Sequence, residues 1–327
     1  MSVLVTGGAG YIGSHTVRQL VECGTDVVVL DSMEFGREAA LLGTELVVGD
    51  VADQALVTEL CRRRGVTQVV HFAAYKAVGE SMEQPGRYWN NNVTGTVALI
   101  EALLAADVRQ LVFSSSCSVY GTPSVVPVDE TAEIRPESVY AETKAMVERI
   151  LFWYSQTSSL RSVCLRYFNA AGASADARIG EDWSRSQNLV PLVMKAALGK
   201  APAIQVFGTD YPTPDGTCIR DYIHVDDLAA AHLRSLDHLA DGGDTVALNV
   251  GTGIGSSVLQ VIEATERISG ITVPTTLVGR RAGDPVASYA DPTMVRNVLD
   301  WKATRDLDQI IASAWAWHST HPDGYDS

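Results

Sequence analysis

The chain has 327 residues, 46% of them hydrophobic and 20% charged, which is the composition of a globular protein with a sizeable core. Its formal net charge of −14 argues against a general nucleic-acid-binding surface or a surface for anionic membranes. Five isolated cysteines, no basic-then-apolar leader and no apolar run near ~18 residues predict a cytoplasmic protein with reduced thiols and no membrane span.

The first part of the chain alternates strand, glycine-rich turn, helix and strand. The apolar run 3–6 is followed by Gly7-Gly-Ala-Gly-Tyr-Ile-Gly13, then by helical periodicity over 15–23 and a second apolar run that ends at Asp31. Glycines at this spacing allow a pyrophosphate to approach the N-terminus of the helix. A carboxylate at Asp31 can accept from an adenosine ribose, which favours NAD. The pattern predicts dinucleotide binding; the alternative is a glycine turn that binds nothing.

The alternation continues to about residue 166. It predicts strands at 45–48, 68–72, 110–114 and 161–166, and helices at 56–63, 88–106 and 140–154. This order is typical of an α/β protein with a doubly wound parallel (Rossmann) sheet, whose ligands lie outside the carboxyl ends of the strands. Asp50, Ala73, Ala74 and the serines at 114–116 follow such ends, so we expect them in one crevice.

Tyr140 and Lys144 are four residues apart and share one face of the predicted helix. A tyrosine titrates near ~10, and a nearby cation such as Lys144 lowers that pKa and makes the phenolate accessible as a base. Ser116, at the end of the preceding strand, can bond a substrate oxygen while the tyrosine removes its proton. We expect Ser114 and Ser115 to bond local backbone instead.

From residue 169 the pattern loosens, which predicts a smaller C-terminal α/β substrate domain. We place an NAD-binding domain at 1–168, with segments near 218–250 returning to it, and a mainly substrate-binding domain at 169–327. Arg220 and Arg281 are the candidates to clamp a diphosphate in so acidic a chain, although each could equally form a surface salt bridge.

His224, Asp226 and Asp227 stand close together before a predicted helix. They could suggest a metal site, but an aspartate that caps the helix is the better interpretation. We therefore expect no metal.

These motifs together resemble the extended short-chain dehydrogenase/reductase superfamily and, within it, the UDP-glucose 4-epimerase family. The blocks that carry the resemblance run nearly end to end, at 7–14, 71–81, 166–169, 207–217, 220–225 and 321–325. The resemblance implies a homodimer of galactose metabolism that epimerises C4 of UDP-hexoses through a 4-keto sugar, with tightly held NAD. It implies that Tyr140 takes the 4-hydroxyl proton, that Ser116 bonds the C4 oxygen and that Lys144 holds the nicotinamide ribose.

The resemblance also implies, by position, which residues contact the ligands. Cofactor contacts are expected at Gly7, Gly10, Tyr11, Ile12, Gly13, Asp31, Asp50, Val51, Phe72, Ala73, Ala74, Lys76, Asn91, Ser114, Tyr140, Lys144 and Phe168. Substrate contacts are expected at Lys76, Ser116, Tyr140, Tyr167, Asn169, Asn188, Leu189, Gln205, Phe207, Arg220, Arg281, Asp284 and Ser288. The stretch 182–187 matches the family poorly, so no contact is assigned there.

Ser288 falls where family members carry either a tyrosine or a small residue. A small residue leaves room for a 2-acetamido group, which leads to the hypothesis that UDP-N-acetylglucosamine and UDP-N-acetylgalactosamine are also substrates. A UDP-glucuronate 4-epimerase, or another nucleotide-sugar enzyme of the superfamily, would share the clamp and stays open. A 4,6-dehydratase would need acids after the catalytic serine, where Cys117 and Ser118 stand. A non-catalytic NAD sensor would lose Tyr140.

Overall fold

Thirteen strands and eleven α-helices make up the fold of the described residues. The computed structural model describes residues 2–184, 186–281 and 283–325. The strands are β1 (Ser2–Thr6), β2 (Asp26–Asp31), β3 (Leu46–Val48), β4 (Val66–His71), β5 (Gln110–Ser114), β6 (Arg161–Tyr167), β7 (Asn169–Ala171), β8 (Ile204–Phe207), β9 (Ile219–His224), β10 (Val246–Val250), β11 (Gly255–Ser257), β12 (Thr275–Val278) and β13 (Ala287–Ser288). The helices are α1 (Tyr11–Glu22), α2 (Gln54–Arg64), α3 (Val78–Glu83), α4 (Pro85–Tyr88), α5 (Gly95–Ala105), α6 (Val139–Thr157), α7 (Leu189–Ala197), α8 (Val225–Ala240), α9 (Val258–Ser269), α10 (Thr293–Leu299) and α11 (Leu307–Thr320).

A seven-stranded parallel sheet organises the larger part of the molecule. Its strand order is β10-β6-β5-β4-β1-β2-β3, and every neighbouring pair is parallel. The chain turns to one side after β1 to form β2 and β3, and to the other side to form β4, β5 and β6. The order therefore reverses beside β1, where an open sheet of this type binds its ligand. The predicted doubly wound parallel sheet is confirmed.

Both faces of this sheet are covered, which explains why its strands are continuous apolar runs. Val3 and Val5 of β1 pack with α1, α8 and α10 on one face, and Leu4 packs with α2, α5 and α6 on the other. Burying a valine or leucine side chain contributes roughly 1.5–3 kcal/mol. The sheet is thus a rigid base for the loops that leave its carboxyl edge.

The helix predicted over 88–106 is interrupted in the structure. Between α4 and α5 the chain makes a π-helical turn at Trp89–Thr94. The side chain of Asn92 is directed inwards there: it accepts from the N–H of Tyr75 at 2.9 Å and donates to that residue's carbonyl at 3.0 Å and to Thr143 at 3.1 Å. These tertiary bonds explain the irregular turn, which periodicity alone could not indicate.

The remaining strands form two small sheets beside a third core. A four-stranded sheet joins β7, β9, β11 and β13, and β8 pairs with β12. The helices α7, α9 and α11 pack over them through residues such as Val193, Val261 and Ile311. The intervening α8 packs on the large sheet, and β10 is its edge strand next to β6. No helix of the described residues is long and apolar enough to cross a membrane.

The start of α8 differs from our expectation that Asp226 or Asp227 caps it. Because β9 leads directly into α8, the capping position belongs to His224, whose Nδ1 accepts from the N–H of Asp226 at 3.0 Å. The carboxylate of Asp226 bonds His15 instead, and that of Asp227 bonds Thr304. The aspartate cap is therefore wrong, and the described residues contain no cluster of three or more metal-ligating side chains.

Candidate active site

The turn between β1 and α1 is packed so closely that its glycines cannot gain a side chain without movement. Gly7 has a positive φ of 68°, and a Cβ on it would lie 2.6 Å from the nitrogen of Ala73. A Cβ on Gly13 would lie 2.4 Å from the carbonyl oxygen of Gly7. Among the described residues no side chain caps α1 at Gly10, so its first N–H groups are open to an anion. The turn therefore fits a pyrophosphate.

Asp31, at the end of β2, is buried and joins the turn to the loop that follows the strand. Its Oδ2 accepts from the N–H of Ala9 at 3.0 Å, and its Oδ1 accepts from the N–H of Met33 at 2.9 Å. Burial raises the pKa of this carboxyl, against the effect of the two backbone donors. Each oxygen keeps a lone pair for a further donor such as a ribose hydroxyl. Asp31 thus lies beside the glycine turn, and its contact with a ribose stays a prediction.

Tyr140, Lys144 and Ser116 meet where β5 ends against α6. Ser138 caps α6, and Tyr140 is the second residue of the helix. The Nζ of Lys144 donates to the carbonyl oxygen of Ser114 at 2.7 Å and lies 5.9 Å from the centre of the Tyr140 ring. Ser116 is buried, and its hydroxyl is near enough to affect the pKa of Tyr140. The three predicted catalytic residues are therefore brought together.

Burial dominates the pKa values of both Tyr140 and Lys144. Burial raises the pKa of Tyr140, and the Ser116 hydroxyl opposes that shift only in part. Burial also lowers the pKa of Lys144 to about 7. In the protein by itself, desolvation therefore dominates the pKa of Tyr140, and the lowering expected from Lys144 stays a prediction. A second positive charge next to the phenol would favour the phenolate.

The two serines before Ser116 bond side chains and not the local backbone, so that expectation is also wrong. The hydroxyls of Ser114 and Tyr167 are 2.6 Å apart, and the hydroxyl of Ser115 donates to Glu148. Since β5 lies against β6 and α6, the nearest polar groups belong to those elements. Glu148 also accepts from Arg166 at 3.0 Å, which gives α6 a buried ion pair behind Lys144.

The two arginines predicted to form a clamp converge on one carboxylate. Arg281 donates to both oxygens of Asp284, from Nε at 2.9 Å and from Nη2 at 2.8 Å. A guanidinium nitrogen of Arg220 lies 3.6 Å from the same carboxylate, and Nη1 of Arg220 donates to the carbonyl of Pro285 at 2.8 Å. The Arg281 guanidinium carbon lies 5.5 Å from the centre of the Phe207 ring. Two positive charges against one negative charge leave this cluster able to bind an anion.

Glu181 is a site residue that the sequence reasoning missed. It is buried, and its Oε1 accepts from the side-chain amide of Asn188 at 2.9 Å and lies 3.8 Å from the Nζ of Lys76. The nearby Tyr11 hydroxyl donates to the carbonyl of Gly172 at 2.6 Å. Glu181 thus links a residue expected to contact the cofactor with one expected to contact the substrate. No spacing or motif signalled it.

Asp221, the neighbour of Arg220 on β9, was also missed. Its carboxylate is fully buried and accepts four hydrogen bonds, from the N–H and hydroxyl of Thr252 and from the N–H groups of Gly253 and Ala290. These bonds tie the turn after β10 and the chain after β13 to β9. A charged residue inside a buried strand was the available signal, because carboxylates are almost never fully buried without partners.

The other residues expected at the cofactor lie along one edge of the large sheet. Asp50 and Val51 follow β3, Phe72, Ala73 and Ala74 follow β4, and Phe168 follows β6, while Ile12 is in the first turn of α1. Asn91 lies in the π-helical turn, where its amide donates to the neighbouring Asn92 at 2.9 Å. The topology therefore gathers positions that are far apart in sequence.

The residues expected at the substrate lie on the smaller sheets and their loops. Asn169 on β7 donates to the carbonyl of Asp221 at 3.0 Å, and Leu189 begins α7. Gln205 and Phe207 are two apart on β8, so they share a face of that strand, and Gln205 is exposed. Ser288 on β13 is opposite Arg220 in the register with β9, which places it next to the arginine cluster.

The stretch 182–187, to which no contact was assigned, connects the two sides of the crevice. Asp182 accepts from Nε of Arg37 at 2.7 Å, and Ser186 donates to Glu181 at 2.7 Å. Arg185 lies outside the described residues. The stretch is therefore joined to the loop after β2.

Comparison with known proteins gives concordant matches. Residues 3–251 match the model of the NAD dependent epimerase/dehydratase family. A UDP-glucose 4-epimerase of Lactobacillus helveticus is 44% identical over 328 aligned residues, which cover 100% of this chain and 99% of the relative. The crystal structure of a UDP-glucose-4-epimerase from Stenotrophomonas maltophila, with bound NAD and formylated UDP-arabinopyranose, has a TM-score of 0.96 at 42% identity and covers 98% of this chain and 99% of its own. The UDP-Glc/GlcNAc 4-epimerase of Campylobacter jejuni has a TM-score of 0.86 at 37% identity, with 98% and 99% of the two chains covered.

Proposed function

The chain belongs to the NAD dependent epimerase/dehydratase family, and on this basis we propose that it interconverts UDP-glucose and UDP-galactose by inverting C4, with NAD as cofactor. The observation that carries the proposal is the meeting of Tyr140, Lys144 and Ser116 at the sheet edge that also holds the glycine turn. A buried phenol, an amine and a hydroxyl are the groups needed to move a proton at a carbinol. The arginine cluster beyond them supplies the site for a diphosphate.

The glycine turn and the end of β2 fit the dinucleotide. A Cβ on Gly7 or Gly13 would clash with neighbouring backbone atoms. Glycine at both positions therefore keeps the turn compact, which lets a pyrophosphate reach the N-terminus of α1. Asp31 disfavours a 2′-phosphate because two negative charges would meet. When bound, NAD supplies a nicotinamide ring that reversibly accepts the hydride from C4 of the sugar, and the oxidised ring also supplies a positive charge.

We assign the proton to Tyr140. As the phenolate, Tyr140 removes the proton of the 4-hydroxyl, and it returns a proton after the 4-keto sugar has presented its other face. Ser116 bonds the oxygen on C4 and so holds the carbinol against the tyrosine. Lys144, fixed by the carbonyl of Ser114, contributes the positive charge of its protonated form and holds the nicotinamide ribose.

Arg220 and Arg281 are proposed to bind the diphosphate. A 4-keto sugar that must rotate within the pocket cannot itself be held by many hydrogen bonds, so the binding energy has to come from the UDP moiety. The bidentate geometry of guanidinium groups suits two phosphates. Asp284, which both arginines contact, fixes their orientation before the substrate arrives.

The test is to incubate the purified protein, without added NAD, separately with UDP-galactose, UDP-N-acetylgalactosamine and UDP-glucuronate. Proton NMR of each mixture shows which C4 centre inverts. We expect UDP-galactose to give UDP-glucose and UDP-glucuronate to remain unchanged. Turnover of UDP-glucuronate alone would favour the glucuronate epimerase, and accumulation of free NADH would indicate a net dehydrogenase.

We further propose that acetamido sugars are substrates, because Ser288 leaves space next to the arginine cluster. The strand pairing of Ser288 with Arg220 supports a position close to the nucleotide sugar. Replacing Ser288 by Tyr should abolish turnover of UDP-N-acetylgalactosamine and spare UDP-galactose, because the ring would occupy the acetamido space. Ser288→Ala is the matched control and should retain both activities. Equal survival of both activities in S288Y would contradict the idea.

We also infer a cytoplasmic location, because the five cysteines are unpaired. We further infer that the protein is a homodimer. Met146 and Trp153 are 38% and 60% exposed and are seven residues apart on α6, so they share an apolar face suited to a second copy. Light scattering should give twice the chain mass of 35.1 kDa. Trp153→Glu should give the monomer, whereas Leu277→Glu, at an exposed apolar residue of β12, should not. A monomeric wild type would refute the dimer.

A further inference from the structure

Two segments that flank the glycine turn are joined to each other by side chains that the proposed mechanism does not use. β1 lies between β2 and β4 in the sheet. The loop 32–37 after β2 and the segment 72–88 after β4 therefore leave the sheet on either side of the turn. A dinucleotide whose pyrophosphate lies at that turn would have one segment on each flank.

The polar contacts of this connection come from Glu34, Tyr75 and Arg87, which we call the strap, and the ring of Phe35 also lies 5.9 Å from that of Tyr75. The carboxylate of Glu34 accepts from the Tyr75 hydroxyl at 2.7 Å and forms an ion pair with Arg87. The Arg87 guanidinium carbon lies 4.1 Å from the centre of the Tyr75 ring, a cation–π distance. Arg87 also donates to Glu80 at 2.6 Å. The carboxylate on one segment is thus held by two donors from the other.

Both ends of the strap are anchored to elements of the cofactor cleft. The N–H and carbonyl of Tyr75 both bond the side chain of Asn92, which also donates to Thr143 on α6, next to Lys144. On the opposite side, the residue before Glu34 donates its N–H to Asp31 at 2.9 Å. The strap therefore connects the adenosine side of the cleft to the catalytic helix.

The strap does not belong to the hydrophobic core. The side chains of Glu34 and Arg87 are 42% and 31% exposed. A pair at this exposure contributes little to folding, so it can be removed without unfolding the protein. Its contribution is local: the two segments can move apart only when the contacts of Glu34 with Tyr75 and Arg87 break.

We propose that the strap keeps the dinucleotide in the cleft between turnovers, with Glu34, Tyr75 and Arg87 as positioning residues. The inference rests on the proposed function, in which one cofactor molecule must serve both halves of the reaction. Its loss midway would leave a 4-keto sugar that can no longer be reduced. A contact that slows opening of the cleft therefore favours complete conversion of the 4-keto sugar to product and also strengthens binding of the dinucleotide.

The test measures how fast nucleotide leaves the purified protein. Samples are passed through a rapid desalting column at timed intervals, and the nucleotide that remains bound is quantified by chromatography after acid release. We expect Arg87→Ala and Glu34→Ala each to release NAD roughly tenfold faster than the wild type, and the double variant to be no faster than either single one. Arg267→Ala, which removes an exposed ion pair with Asp308, is the matched control and should leave release unchanged.

Sugar turnover supplies the second readout, because a leaky cleft should produce free NADH and 4-keto sugar when UDP-galactose is added to R87A. Unchanged release in both single variants, or acceleration by R267A as well, would overturn the strap. So would a wild type that retains no nucleotide. Retained NAD without C4 inversion would refute the proposed function and leave the strap standing. If R87A fails to fold, Glu34→Gln removes the charge on the other segment and should still accelerate release.

Discussion

Replacing Asp221 tests whether one buried carboxylate holds the arginine cluster to the large sheet. The carboxylate accepts four hydrogen bonds at 2.7 to 3.2 Å and has no exposure to solvent. A Cβ on Gly251 would lie 2.5 Å from Oδ2, so the backbone of the turn after β10 packs directly against the carboxylate. Any variant therefore has to meet the same donors in the same positions.

The cost follows from how many backbone donors lose their acceptor. In Asp221→Asn the amide nitrogen can face Thr252, whose hydroxyl can turn to accept, which leaves one N–H unsatisfied at about 1–3 kcal/mol. In Asp221→Ala the N–H groups of Thr252, Gly253 and Ala290 all lose their partner, so the loss should be about three times larger, or ~3–9 kcal/mol. The ratio between the two variants is the structural prediction.

Unfolding in guanidinium chloride, followed by tryptophan fluorescence, measures both free energies. Asp244→Asn, at an exposed aspartate after α8, is the control and should change stability by less than about 0.5 kcal/mol. We also expect the KM for UDP-galactose to rise in D221N, because Arg220 is the adjacent residue on β9. Equal losses in D221N and D221A, or losses no greater than in the control, would refute the four-bond account.

Three further predictions address the base, the turn and the pH dependence. Tyr140→Phe should lower epimerase turnover by about 10²–10⁴-fold, measured by NMR, while bound NAD is retained; normal turnover would remove Tyr140 from the proton path. Gly13→Ala should abolish NAD retention, as read from the ratio of absorbance at 260 and 280 nm, whereas Gly79→Ala, which meets no neighbour within 4 Å, should not. Burial lowers the pKa of His71 to about 3 and that of His232 to about 4, so protons bind the unfolded chain more strongly. Stability should therefore fall as the pH decreases from about 6.5 towards 4, by at most about 1.4 kcal/mol per pH unit for each histidine, and a flat denaturation midpoint over that range would contradict it.

The features that could be predicted from the sequence are those encoded locally. Apolar runs separated by helical periodicity predict a parallel sheet because strands buried on both faces must be continuously apolar. The glycine turn and Asp31 follow from spacing, since a strand, a turn and the next strand end are contiguous. Tyr140 and Lys144 follow from the helical repeat. In each case the partners are within one supersecondary unit.

The features that could not be predicted depend on partners far along the chain. Asp221 is explained only by Thr252 and Ala290, which the fold brings to it from two other elements. The capping role of His224 depends on a strand that runs into a helix with no residue between them. The pKa of Tyr140 depends on burial, which no pattern of residues measures. Tertiary contacts decide these points.

The charge of the chain explains why its ligand contacts have to be short. At a net charge of −14 the protein repels UDP-sugars and NAD at a distance, so long-range steering cannot supply their affinity. Attraction must come from groups in contact, such as those that we propose at the N-terminus of α1 and at the two arginines beside Asp284. Such contacts are partly shielded from salt, whereas the repulsion is exposed and screened within about 8–10 Å. The reaction requires firm local contacts at both ends of the crevice and few contacts around the sugar, because the intermediate has to rotate within the pocket.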